Sequence, residues 1–88
     1  MDSIEDIKKE VKTDKLVIGK KETLILMREG KLARVFLASN CPQSLEADFE
    51  HAGKTLGVQI EKLPIANDEL GVICKRQYSI SVLGEKKP

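Results

Sequence analysis

Short strand-like segments alternate with helical segments along the chain, and this alternation is the main evidence for the fold. Leu16–Ile18 is a short apolar segment that ends at Gly19. Residues 33–38 are apolar except for Arg34 and do not alternate, which is typical of a strand buried on both faces. Residues 58–61 and 78–82 alternate between apolar and polar side chains, which indicates two half-exposed strands.

One helical segment precedes the first strand and another follows it. Ser3 and Asp6 have approximately the spacing of a capping box. Apolar residues then recur at helical spacing, at Ile4, Ile7 and Val11. The second helix is predicted over residues 20–29, with Gly30 as its cap.

A third helix has a continuous apolar stripe formed by Leu45, Phe49, Ala52 and Leu56. It begins near Ser44 and closes at Gly57, a residue type that is common just past helix ends. The stripe predicts one wall of the core. Asn67 or Asp68 is predicted to cap a fourth, short helix that continues through Cys74.

Strands that alternate with helices predict an α/β fold, here a mixed sheet of four strands with helices on both faces. Eighty-eight residues give room for one domain, spanning 1–88, in which 84–88 is expected to be a loose tail. In such sheets, ligands meet the loops at the carboxyl ends of the strands. Residues 19–22, 40–44 and 75–78 are therefore expected at one edge.

Composition argues against several functional classes. Apolar runs are short, such as 35–38, so no membrane span is expected. Cys41 and Cys74 form no CxxC motif and His51 is the only histidine, so no disulfide framework, metal site or other cofactor is predicted. An enzyme that uses Cys41 is the least favoured interpretation, because no base can be named for it. The reduced setting of the cytoplasm is expected.

Two short charged clusters lie in the predicted edge loops. After Gly19, the N–H groups of a helix's first turn suit a phosphate, and Lys20 and Lys21 add positive charge. Glu22 would repel phosphate, but its carboxylate accepts hydrogen bonds from guanine or cytosine. Residues 75–78, Lys-Arg-Gln-Tyr, combine cations with a ring that stacks on bases. Capping and solvated loops explain each cluster alone, whereas two clusters at one edge favour RNA.

Four segments carry a resemblance to a known family. They are 18–23 (IGKKET), 38–40 (ASN), 69–71 (ELG) and the loop around Arg76. In order and spacing they resemble the kink-turn RNA-binding proteins, which include the archaeal and eukaryotic large-subunit ribosomal proteins 30e and 7Ae. The resemblance covers nearly the whole chain.

The resemblance implies a three-layer α/β/α sandwich that clamps a kinked RNA loop with tandem sheared G·A pairs. Glu22 matches the carboxylate that 7Ae-type proteins direct at a sheared guanine, whereas Asn40 and Arg76 match RNA contacts of the 30e type. The chain differs where Lys75 replaces a glycine and Ile25 a frequent lysine. The predicted RNA-binding residues are Gly19, Lys20, Lys21, Glu22, Thr23, Asn40, Lys75, Arg76, Gln77 and Tyr78.

The resulting prediction is a non-catalytic protein that stabilises kink-turn RNA, as a large-subunit ribosomal protein of the 30e type. Its expected partners are ribosomal RNA and neighbouring ribosomal proteins, in cytoplasmic ribosomes. One alternative is a 7Ae-like subunit of a guide-RNA or RNase P particle. Another is a protein-interaction module that has kept the fold, which the near-neutral net charge of +1 leaves open.

Overall fold

Helices and strands alternate through the described part of the chain, as the sequence predicts. The computed structural model describes residues 3–11 and 15–87. In chain order the elements are α1 (Ser3–Glu10), β1 (Leu16–Ile18), α2 (Lys20–Arg28), β2 (Leu32–Leu37), α3 (Gln43–Leu56), β3 (Gln59–Lys62), α4 (Asn67–Ile73) and β4 (Val82–Lys86). The predicted capping side chains of Ser3 and Asp6, the apolar side chain of Ile4, and Pro88 lie outside what the structure describes.

The strands form one mixed sheet in the order β1-β4-β2-β3. β4 runs antiparallel to both of its neighbours, β1 and β2, whereas β3 is parallel to β2. The carboxyl ends of β1, β2 and β3 therefore lie at the same edge of the sheet as the amino end of β4. We call this the carboxyl edge. The prediction of a four-stranded mixed sheet is confirmed.

Each face of the sheet is covered by helices and has its own core. Residues of α1 and α4 pack on one face, and residues of α2 and α3 pack on the other. Along β2, Phe36 belongs to the first core, and its neighbours Val35 and Leu37 belong to the second. The helical residues buried in these cores include Ile7, Met27, Phe49 and Leu70. The three layers confirm the predicted α/β/α sandwich.

The apolar stripe of α3 is buried along most of its length but not at its end. Phe49 is fully buried, and Leu45 and Ala52 are partly buried. Leu56 is 42% exposed, so its predicted place in the core wall is wrong. The reason is local: α3 ends at Leu56, and Gly57, with φ of 72°, turns the chain away towards β3.

The last strand lies further along the chain than its sequence pattern predicts. It spans Val82–Lys86 instead of 78–82, and residues 84–86, predicted as part of a loose tail, are in the sheet. Gly84 pairs with residues of both β1 and β2, so this strand is central. The sequence signal is weak because glycine and charged residues are depleted in strands.

A partly buried ion pair compensates the charge of Glu85 on this central strand. Arg34 of β2 donates from Nε and Nη2 to the two carboxylate oxygens of Glu85, at 2.8 and 2.7 Å. This bond lowers the pKa of Glu85. Glu10, at the end of α1, hydrogen-bonds to Glu85, and burial together with that bond raises the pKa of Glu10 to about 7. A protonated Glu10 therefore links α1 to β4.

The raised pKa predicts that the protein loses stability as the pH rises towards 7. The ordinary pKa of this carboxyl is 4.5, so the folded protein holds the Glu10 proton more tightly than the unfolded chain does. The stabilising contribution is complete below pH 4.5 and is lost as the pH rises through about 7. Glu10→Gln, which keeps a neutral donor, should flatten this part of the profile in denaturant titrations.

Glu5→Gln is the matched control for this prediction. Glu5 lies on the same helix, is exposed, and contacts Lys8 at 3.9 Å. Its substitution should leave the pH dependence of the unfolding free energy as it is in the unmodified protein. Equal slopes for the two variants would contradict the role assigned to Glu10.

Candidate nucleic-acid interface

Backbone hydrogen bonds bring the loops after β1, β2 and β3 together at the carboxyl edge. The Gly19 N–H donates to the Val82 carbonyl at 3.2 Å, and the Ala38 N–H donates to the Ser81 carbonyl at 3.0 Å. On the other side, the Ser39 N–H donates to the Ile65 carbonyl at 2.7 Å. The start of α2, the loop after β2 and the entry to β4 therefore form one continuous edge.

The start of α2 presents charged side chains and backbone N–H groups at this edge. Gly19 is the N-cap residue, at φ of 106°, a conformation that side chains disfavour. Because glycine has no side chain, the N-cap position supplies no capping oxygen to the first turn. Lys20, Lys21 and Glu22 follow and are all exposed. This turn can therefore contact phosphate and a base edge side by side.

Thr23, in contrast, is not part of the exposed surface. Its side chain is fully buried, and its Oγ1 donates to the Gly19 carbonyl at 2.6 Å. The backbone N–H of Thr23 donates to the same carbonyl at 3.1 Å. The predicted RNA contact by Thr23 is corrected accordingly: burial removes the side chain from any ligand, and its hydroxyl holds the turn that presents its neighbours.

Asn40 connects the loop after β2 to the start of α4. Its Oδ1 accepts the Asn67 backbone N–H at 2.8 Å, and its Nδ2 donates to Asn67 Oδ1 at 3.0 Å. α4 begins after Ala66, which cannot cap it, so Asn40 supplies a capping oxygen from a distant loop. Sequence reasoning missed this pairing because the two residues are 27 positions apart. Asn40 remains exposed, so it can also meet a ligand.

A tight turn at the end of α4 presents the second charged cluster. The Lys75 N–H donates to the Val72 carbonyl at 3.0 Å, and the Arg76 N–H donates to the Gly71 carbonyl at 2.9 Å. These two bonds define a Schellman motif, in which the residue after the helix cap takes the left-handed conformation. Lys75 occupies that position with φ of 58°. It therefore adopts the backbone geometry that a glycine there would favour.

Replacing Lys75 with glycine is expected to stabilise the protein by about 0.5–1 kcal/mol. Glycine removes about 1–2 kcal/mol of strain from the left-handed backbone conformation. It also increases the conformational entropy of the unfolded chain, which lowers the stability by about 0.4–1 kcal/mol. Urea denaturation measures the difference. Lys75→Ala is the control, because it removes the charge and keeps the strain. If glycine and alanine have the same effect, strain at this position does not limit stability.

The segment after this turn is exposed and passes very close to α4. Lys75, Arg76, Gln77 and Tyr78 are all exposed, Tyr78 to 59%. A Cβ added at Gly71 would meet the Tyr78 carbonyl oxygen and lie near the Ser79 Cα. Gly71 therefore allows this segment to lie against α4. The sequence motif contains this glycine, but only the fold shows why it is needed.

The described residues offer no support for catalysis by a cysteine. Cys41 and Cys74 are buried, and burial raises the pKa of both thiols. A raised pKa disfavours the thiolate that a nucleophile requires. Within 3–11 and 15–87, no three histidine, cysteine, aspartate or glutamate side chains are grouped so that they could hold a metal ion. No helix in the described ranges has the length and apolar character to cross a bilayer.

The same small α/β/α sandwich is found in solved structures of other proteins. A Giardia lamblia 15.5kD RNA binding protein matches with a TM-score of 0.85 at 19% identity, over 98% of this chain and 72% of that one. A Bacillus halodurans protein with unknown function matches with a TM-score of 0.87 at 13% identity, over 96% of this chain and 83% of that one. These similarities establish the fold.

Sequence comparison places the chain within a family. The profile of the Ribosomal protein L7Ae/L30e/S12e/Gadd45 family matches residues 1–88. The large ribosomal subunit protein eL30 of Methanocaldococcus jannaschii is 30% identical over 94% of this chain and 76% of its own length. The eL30 protein of Pyrobaculum calidifontis is 33% identical over 89% and 77%, respectively. The chain belongs to the L7Ae/L30e/S12e/Gadd45 family, which confirms the resemblance seen in its sequence.

Proposed function

We propose that this chain is a large-subunit ribosomal protein that binds ribosomal RNA by recognising and stabilising a kink-turn. The observation that carries the proposal is the exposed first turn of α2, where Lys20, Lys21 and Glu22 adjoin the carboxyl edge. The names of the eL30 relatives support the ribosomal assignment. They are names of ribosomal proteins, in agreement with a non-catalytic role.

Phosphate binding and base recognition are divided among adjacent residues in this proposal. Lys20 and Lys21 neutralise phosphates together with the N–H groups of the first turn of α2. Glu22 is repelled by phosphate, so its useful contact is with base-edge donors, such as N1–H and N2–H of a sheared guanine. Asn40 adds a second polar contact from the neighbouring loop, which its bonds to Asn67 hold in place.

The segment 75–78 forms the second arm of the proposed interface. Arg76 attracts phosphate, and the exposed ring of Tyr78 gives a surface on which a base can stack. Gln77 supplies an amide that can both donate and accept hydrogen bonds. With α2, this arm holds the two sides of a sharp RNA bend. The chain acts here as a single RNA-binding domain without a cofactor, in contact with ribosomal neighbours in the cytoplasm.

The proposal predicts that Glu22 contributes selectivity and not simple affinity. Glu22→Gln should lose about 1–3 kcal/mol of preference for a kink-turn RNA over a plain duplex, because a carboxylate that accepts from guanine is lost. Binding to the plain duplex should be unchanged or slightly tighter. Filter binding or calorimetry with both RNAs at one fixed salt concentration measures the preference.

Glu29→Gln is the matched control for Glu22→Gln. Glu29 follows the last turn of α2, is exposed, and contacts Lys31 at 3.1 Å. Its substitution changes the net charge equally but at the opposite end of the helix, so the RNA preference should not change. Retention of the preference by Glu22→Gln would refute the base-reading role. If the unmodified protein does not prefer the kink-turn, the result would favour a protein-interaction module.

Crosslinking of the protein to RNA in a cell extract tests which ribonucleoprotein particle contains it. Recovery of ribosomal RNA supports the ribosomal proposal, whereas recovery of a small guide RNA or RNase P RNA would support a 7Ae-like particle subunit. The same experiment with Glu22→Gln shows whether the recovered RNA depends on the α2 edge.

A further inference from the structure

Asn67 joins three segments at the carboxyl edge. It is the first residue of α4, and its backbone N–H donates to Asn40 Oδ1 at 2.8 Å. Its side-chain Oδ1 accepts a hydrogen bond from Asn40 Nδ2 at 3.0 Å. Its backbone carbonyl accepts the N–H of the buried residue Ile80, also at 3.0 Å. The start of a helix and a buried segment before β4 therefore fix the backbone of Asn67.

These bonds also determine which way the Asn40 amide points. A backbone N–H can only donate, so the Asn40 atom that faces the Asn67 N–H is the amide oxygen. One of the two N–H groups on Asn40 Nδ2 then donates to Asn67 Oδ1. The other N–H points away from Asn67, because the two lie about 120° apart in a planar amide. Asn40 is exposed, so this second N–H faces a ligand as a donor.

We infer that Asn67 is a positioning residue of the RNA-binding surface, which holds the Asn40 amide so that Asn40 donates a hydrogen bond to an acceptor of the bound RNA. This role rests on the proposed RNA-binding function and adds to it the direction of the Asn40 contact and the residue that sets it. The acceptors in RNA are phosphate oxygens, base carbonyls and ring nitrogens. An amide that is held before RNA arrives loses less conformational freedom on binding.

Asn67→Ala tests this role because it removes the side-chain acceptor and keeps the backbone N–H that donates to Asn40. A kinked RNA and a plain duplex place their acceptors differently, so the loss appears in the preference between them. We expect that preference to fall about three- to tenfold, the equivalent of ordering one side chain on binding. Filter binding of the full chain to a kink-turn RNA and to a plain duplex, at one fixed salt concentration, measures it.

Rescue by Asn67→Asp distinguishes positioning from a general loss of structure. Aspartate keeps an oxygen that can accept from Asn40 Nδ2, so the preference should be retained. Its negative charge should weaken binding to both RNAs alike. A preference that is unchanged in Asn67→Ala, or lost equally in Asn67→Asp, would overturn the inference.

A double-mutant cycle with Asn40→Ala tests whether Asn67 acts through Asn40. In the Asn40→Ala background, Asn67→Ala should cause no further loss of preference, because the amide that it positions is already absent. Losses that add in full would contradict a positioning role. Asn40→Asp keeps an oxygen for the Asn67 N–H but has no N–H to donate, so it should lose as much preference as Asn40→Ala. Retention of the preference by Asn40→Asp would show that Asn40 is not a donor to RNA.

Glu69→Ala provides the matched control. It removes an exposed polar side chain two positions further along α4 and leaves both Asn40–Asn67 bonds in place. The preference for the kink-turn RNA should not change. A loss equal to that of Asn67→Ala would show that any substitution at the start of α4 has this effect, and would refute the specific role of Asn67.

NMR of the RNA-free protein separates this inference from the proposed function. Asn67→Ala should move the Asn40 side-chain amide signals towards those of a free asparagine side chain, whereas Glu69→Ala should not. If the unmodified protein prefers the kink-turn RNA and Asn67→Ala retains that preference, only the role of Asn67 is refuted. If the unmodified protein has no such preference, the proposed function is refuted and the RNA contact of Asn40 with it, whereas the amide signals still show whether Asn67 holds Asn40.

Discussion

Phe49→Ala is expected to lower the free energy of unfolding by about 3–5 kcal/mol, the usual range for removing a buried phenylalanine. Phe49 is completely buried, on the face of the sheet where α3 packs beside α2. Alanine removes most of its apolar surface and leaves a cavity in the core that Phe49 shares with Val35 and Leu37. A domain of this size has roughly 5–10 kcal/mol of total stability, so the variant should be close to unfolding.

Guanidinium titration of Phe49→Ala and Leu56→Ala measures this effect against a matched control. Leu56 lies on the same helix, seven positions further along, but is 42% exposed. Alanine is at least as good a helix former as leucine, so Leu56→Ala should cost about 1 kcal/mol or less. If both substitutions lower stability equally, the middle of α3 does not form the core wall that the structure describes.

Gly71→Ala is expected to destabilise the protein by about 2–3 kcal/mol and also to weaken RNA binding at least about tenfold. An added Cβ would collide with the Tyr78 carbonyl oxygen, which belongs to rigid backbone. The collision outweighs the gain of about 1 kcal/mol in helix propensity. The backbone of 76–79 must move away from α4, and the Arg76 and Tyr78 side chains move with it.

Gly57→Ala separates this steric effect from ordinary glycine strain. Gly57 has φ of 72°, and a Cβ added there meets no atom within 4 Å. Alanine at Gly57 should therefore cost about 1–2 kcal/mol through left-handed strain alone, with unchanged RNA affinity. Thermal unfolding and RNA titration of both variants distinguish the two effects. Normal RNA affinity in a folded Gly71→Ala protein would show that the segment 76–79 is not part of the interface.

The sequence predicted the parts of the candidate site that depend on local chemistry. Gly19 followed by Lys20, Lys21 and Glu22 indicates a helix start with mixed charge, and the structure has that turn exposed at the carboxyl edge. The same local pattern could not show that Thr23 faces inward, because its burial depends on how α2 packs against the sheet. RNA binding by the exposed residues remains a prediction that the experiments above test.

Non-local contacts determine the features that the sequence pattern misplaced. Tyr78–Val82 alternates like a strand, but the segment begins beside α4, where Gly71 admits the Tyr78 backbone. The strand forms instead at Val82–Lys86, where Arg34 compensates the charge of Glu85. Strand propensity is a weak preference compared with pairing on both sides of a central strand. Arg34 and Glu85 are 51 positions apart, so no local window contains both.

Hydrophobic periodicity and glycine positions act over a few residues, so the amino-acid sequence was sufficient to predict the α/β/α class, the order of helices and strands, and the charged turn after β1. The central place of β4, the inward orientation of Thr23 and the capping of α4 by Asn40 depend instead on the packed fold. Each of these features depends on groups that are distant in sequence and meet only when the sheet and helices pack together.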